Sequence, residues 1–221
     1  HEHARVFSYH FGEDAADPHN IDDPGFNAND NSTHLPPAST DVGFDVRSGL
    51  QYWDGNGTVS FGPAPAGVEL LLVDTPDQVT ITGATGEQAG YKVQQTAADG
   101  HMHTHLTSLL HGPDGNEVFG DGTYADFGLY LVELEVWIDG YADSEPIWVL
   151  YNNLPELDGL GDPVVENGVW HMNHEAEEAA HEWVETNLVP EPTSMVVVGF
   201  LALCGLRSRP ASLQRVRGAR G

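Results

Sequence analysis

Cysteine is nearly missing from this chain. Among 221 residues the one thiol is Cys204, so no intramolecular disulfide forms and no cysteine-built zinc site exists. Positive charge is almost as scarce, with 8 Lys and Arg against 34 Asp and Glu, a formal charge of −26. The one lysine is Lys92, and five of the seven arginines (Arg207, Arg209, Arg215, Arg217 and Arg220) crowd the last fifteen residues. Before residue 189 the bases are Arg5, Arg47 and Lys92 alone. Such a body repels nucleic-acid phosphates and anionic lipid surfaces and attracts cations. Familiar catalytic punctuation is missing too. There is no G-x-S-x-G elbow, no Gly-rich phosphate loop and no dinucleotide fingerprint. The expectation is a binding protein without enzymatic activity.

What the chain does hold is enough apolar material to fold. It is 40% hydrophobic, with 5 Trp, 7 Tyr and 8 Phe, beyond the range of a disordered polyanion. Alternation of apolar and polar residues, the mark of half-buried strands, dominates the middle. It appears over 4–11, 58–61, 68–73, 78–82, 91–95, 101–110, 129–138 and 147–151. Short strands separated by Gly, Pro, Asn and Asp predict a mainly β domain over 1–188, an antiparallel sandwich or jelly roll. Two helices are expected within it. One spans 42–53, with Phe44, Leu50 and Trp53 inward. The other spans 171–188, rich in Ala and Glu and stopped before Pro190. Residues 12–41, polar and turn-rich, read as a long surface loop.

The densest candidate chemistry is His101-Met102-His103-Thr104-His105. Alternate strand residues share a face, so the three imidazoles would stand in a row, neighbours roughly 6.5–7 Å apart. If this strand formed a hairpin with 129–138, Glu133 and Glu135 would lie opposite them. Three imidazoles and two carboxylates suit Zn(II). A second set, His171, His174, Glu178 and His181, would form a stripe along the closing helix. A third depends on His1 being a free amino terminus. His1-Glu2-His3 then offers square-planar nitrogen to Cu(II) or Ni(II), and the amine and ring of His1 with another His would form the copper brace of an oxidase. Ca(II) is conceivable within Asp22–Asn31, although the EF-hand spacing is absent. Solvated polar faces are the alternative for every one of these sets. Imidazoles must be neutral to bind metal, so affinity is expected to collapse below about pH 6.

At the other end, Val189-Pro190-Glu191-Pro192 leads into the apolar run Met195–Leu206 and then the arginines. This Pro-Glu-Pro, apolar, basic order over 189–221 resembles the PEP-CTERM sorting tail of exported bacterial proteins. The resemblance implies recognition by an exosortase-type membrane protease, transient inner-membrane anchoring through 195–206, and release to the cell surface or matrix. The body carries Asp23-Pro24-Gly25-Phe26, Val42-Gly43-Phe44-Asp45-Val46, Leu50-Gln51-Tyr52-Trp53, the His-x-His strand, Gly128–Glu135 and Ile147–Asn152 in that order. In this it resembles PEP-CTERM proteins repressed by the zinc-uptake regulator Zur. That resemblance implies expression under zinc scarcity and a role in zinc capture at the cell surface. The rival expectation is a structural or adhesive matrix protein, acidic for solubility alone.

Overall fold

The computed structural model describes residues 5–29, 35–74, 77–116 and 124–189. The copper site expected at His1 and His3, and the sorting tail beyond residue 189, lie outside the described residues. In chain order the strands are β1 (Val6–His10), β2 (Asn20–Ile21), β3 (Gly25–Ala28), β4 (Asp41–Val46), β5 (Gln51–Trp53), β6 (Gly62–Pro63), β7 (Glu69–Asp74) and β8 (Asp77–Thr82). They continue as β9 (Gln88–Gln95), β10 (Met102–His105), β11 (Thr107–His111), β12 (Gly128–Ile138), β13 (Ile147–Asn153), β14 (Val165–Glu166) and β15 (Val169–Trp170). One helix, α1 (His174–Asn187), closes the described chain. The protein is mainly β, 45% strand and 8% helix, with its strands divided among several sheets.

The largest sheet has seven strands in the order β1-β13-β12-β4-β9, with β5 and β6 extending from β12. A four-stranded sheet runs β2-β11-β7-β8, and β10 with β3 forms a separate two-stranded ribbon. Strand β12 organises the large sheet because its two faces are both apolar at one end. Tyr130, Val132 and Leu134 point into a core shared with Leu70, Leu72 and Ile81 of the four-stranded sheet and Met102 of the ribbon. Leu129 and Leu131 point the other way, joining Val6, Trp148 and Leu150 beneath α1. The helix meets them with Ala176, Ala180 and Val184, spaced i, i+4, i+8 on one stripe. Its start is fixed by Asn173, whose side chain accepts from the Ala176 N–H at 3.0 Å, and by Glu175 and Glu177 in the first turn, where the helix dipole favours acids.

Several expectations change. Residues 42–53 form no helix. They are β4 and β5, both lying against β12, β4 along 134–138 and β5 along 129–131. Phe44, Leu50 and Trp53 are buried as expected, but strand alternation places them. Gly43 helps to decide this, because a Cβ there would sit 2.1 Å from the Tyr91 carbonyl oxygen and 2.2 Å from the Trp137 ring. Only a bare backbone lets β9 approach that closely. The expected strand at 58–61 is irregular, pairing beginning at Gly62. The stretch 12–41 carries β2 and β3 rather than loop alone. The large sheet is not wholly antiparallel either, since β1 runs parallel to β13, Val6 beside Trp148 and Tyr9 beside Tyr151.

Candidate metal centre

The run 101–110 divides at Leu106. Before it, β10 pairs with β3, His103 beside Asn27 and His105 beside Gly25. After it, β11 pairs with β7 and β2. Leu106 is fully buried at this corner, and its N–H donates to the Pro24 carbonyl at 3.0 Å. One polypeptide run therefore passes from the ribbon to the four-stranded sheet through an apolar pivot.

Alternation holds within β10. Met102 is buried, while His103 and His105 face outward with ring centroids 5.0 Å apart at 74°. The Nδ1 of His105 lies 2.9 Å from the Asp22 carbonyl oxygen, and the Asp23 carboxylate is 3.7 Å away. In the Nδ1–H tautomer His105 donates to that carbonyl and presents Nε2 as a lone pair, the arrangement that orients metal-binding imidazoles. Asp22 is steadied by the Thr107 hydroxyl at 3.0 Å. Burial pushes the Asp23 carboxyl above the usual carboxylate range, Glu13 and Asp22 push it the same way, and His105 opposes them. A cation beside Asp23 would relieve that cost.

His101 does not extend the row as a third strand position. It precedes β10 in a turn, its N–H and Nδ1 3.1 and 3.0 Å from the Asp99 carboxylate. The backbone hydrogen bond and then the side-chain contact hold Asp99 below the usual range. Glu133 and Glu135 are not opposite the histidines, because the hairpin that would place them there does not form. In β12, Glu133 pairs with Trp148 and Glu135 with Asp45. Their counter-ion is Arg47, whose Nε is 3.0 Å from Glu135 and whose guanidinium also contacts Glu87. Burial pushes Glu133 up, partly offset by Arg47. Two of the five residues assigned from the sequence are thus engaged with arginine.

The helical stripe is likewise redistributed. His171 precedes α1 and pairs with Glu156 at 2.9 Å. His181 has both ring nitrogens engaged, Nδ1 at 2.8 Å from the Ser8 hydroxyl and Nε2 at 3.4 Å from Glu185. That ring latches α1 to β1. His174 contacts Glu177 rather than Glu178, Nδ1 to Oε2 at 3.3 Å, and its ring meets that of His10 edge-on at 6.0 Å. Of the calcium candidate, Asp22 and Asp23 belong with β10, and Asp30 and Asn31 lie outside the described residues. Among the described residues no three imidazole, carboxylate or thiolate groups already converge on one coordination position.

Residues that the sequence did not connect to the histidine strand supply the surroundings. An acidic hollow of about 360 Å³ is lined by Glu13, Asp14, Asp17, Asn20, Ile21 and Asp22. Of these, Asp22 meets His105 Nδ1 through its carbonyl oxygen, and Glu13 lies 3.9 Å from His10. His10 was detectable in principle, since it shares the alternating face of Val6 and Ser8. Asp22 and Asp23 stood next to Pro24 without any pattern linking them to a strand 80 residues away. Compared with protein-family models, curated proteins and solved structures, the chain matches none of them. Among the described residues, no helix is long and apolar enough to cross a membrane.

Proposed function

We propose that this is an exported, surface-associated binding protein, not an enzyme, that captures Zn(II) or a similar divalent ion with His103 and His105 as its fixed ligand pair. One observation carries the reading. Zn–N bonds of about 2.0–2.1 Å at a tetrahedral angle separate two ligating rings by about 5 Å, centre to centre, and these rings stand at 5.0 Å. His105 is oriented through its other nitrogen, Nδ1, which lies 2.9 Å from the Asp22 carbonyl oxygen and 3.7 Å from the Asp23 carboxylate, and water would complete the shell on the Nε2 side. The acidic hollow raises the local cation concentration by its field. Cu(II) suits two imidazoles as well, whereas Ca(II), a seeker of oxygen, would favour the hollow.

The wider setting is part of the proposal. The Pro-Glu-Pro, apolar, arginine tail supports sorting by an exosortase-type protease after transient anchoring. The likeness of the body to Zur-repressed proteins supports a role in zinc capture. Two apolar sheet faces sharing one core support a sandwich as the architecture. The test is equilibrium dialysis of the full chain against zinc with excess calcium, followed by elemental analysis. Saturable, calcium-resistant uptake that falls by at least one ion per chain in His103→Ala/His105→Ala is expected, and uptake should also fall as pH drops below about 6. Uptake that calcium displaces, or that the double variant retains, would leave an acidic matrix protein without a specific zinc centre.

A further inference from the structure

We infer that His10, His174 and Glu13 form a second cation site, distinct from the ribbon pair, in which a divalent transition ion clamps β1 to α1. The two rings come from opposite ends of the described chain and meet edge-on, centroids 6.0 Å apart, within about 1 Å of the spacing two zinc-bound imidazoles adopt. Glu13 approaches His10 Nε2 to 3.9 Å. His174 is 71% exposed and Glu13 63%, so both are free to swing the remaining distance. The opposite side of the site is rigid. Glu177, 16% exposed, contacts His174 Nδ1 and accepts from the side-chain amide of the fully buried Asn152 at 3.0 Å. In the Nδ1–H tautomer this carboxylate fixes the His174 ring and turns Nε2 outward, a carboxylate–histidine–metal relay with Glu177 as positioning residue.

Electrostatics favour the same assignment. His174 occupies the first position of α1, beside the acidic first turn that carries Glu175 and Glu177. Glu13, Asp14 and Glu177 supply the negative field the ion itself requires. His181, two turns along, is already satisfied by Ser8 and Glu185 and holds the register in which His174 meets His10.

The test uses cobalt(II), whose visible absorption reports tetrahedral nitrogen and oxygen ligation, and zinc competition, on the full chain carrying His103→Ala/His105→Ala. One equivalent of metal should remain in that background. It should be lost on adding His10→Ala/His174→Ala, and weakened 10–100-fold with a shifted cobalt spectrum by Glu177→Gln. No metal bound in the His103/His105 background, or binding unchanged by the added pair, would overturn the inference. Retention of every equivalent in the His103/His105 variant relative to the unsubstituted chain would overturn the ribbon site instead. Hydrogen exchange on the unsubstituted chain gives a check free of folding defects. Zinc should increase protection of amides in both β1 and α1, and protection confined to β10 would count against the clamp.

Discussion

Strands β12 and β10 obey the same alternation and have opposite fates. In β12 both faces are covered along residues 129–132, one by the facing sheet and the other by α1. In β10 one face carries Met102 into the core and the other leaves His103 and His105 in solvent. Alternation thus states which residues share a face. What covers the face is decided by partners far away in sequence. The difference also assigns roles, because a strand enclosed on both sides is worth most to stability and a ribbon with one free face is available for chemistry.

The contrast can be broken most forcefully at Leu131, fully buried beneath α1. Leu131→Ala should lower unfolding free energy by about 2–5 kcal/mol in urea titration. A loss under about 1 kcal/mol would mean that the helix contributes little cover. The next effect belongs to Tyr52, paired with Tyr130 at 5.1 Å and donating to the Phe127 carbonyl. Burial, with help from Asp126 and Asp54, pushes its phenol up to about 12. The folded state holds that proton more tightly than the unfolded chain. Its stabilising contribution is therefore complete below about pH 10 and lost as pH rises towards 12, moderated by partial exposure. Urea midpoints between pH 9 and 12 should fall in the unsubstituted chain and fall less in Tyr52→Phe. The smallest effect is expected on the ribbon. His103→Ala/His105→Ala should shift unfolding by no more than about 0.5 kcal/mol without metal, and a larger shift would show that the pair is structural.

Much of the architecture was legible because local patterns were strong. The strands over 68–73, 78–82, 129–138 and 147–151 and the closing helix appear nearly where alternation and Pro190 put them. The segment 42–53 misled because Phe44, Leu50 and Trp53 do not distinguish a helix from two strands broken at 47–50, whereas Gly43 in a tight sheet does. Parallel pairing of β1 with β13 had no local signal, since it joins residues about 140 positions apart. Of the proposed centre, the shared outward face of His103 and His105 was legible. Its acidic neighbours were not, because the partner of β10 lies in a polar stretch that gives no strand pattern, while Glu133 and Glu135 face Arg47.

The pivot at Leu106 has an evolutionary consequence. It confines the outward imidazoles to the exposed face of a two-stranded ribbon, while the next residue along the chain already belongs to the packed sheet. Under the proposed function, descendants of such a chain would be free to exchange, add or discard ligands at 103 and 105, retuning which ion is held. The proposed clamp between β1 and α1 would lack that liberty, because a change there would be felt by the docking of the helix as well.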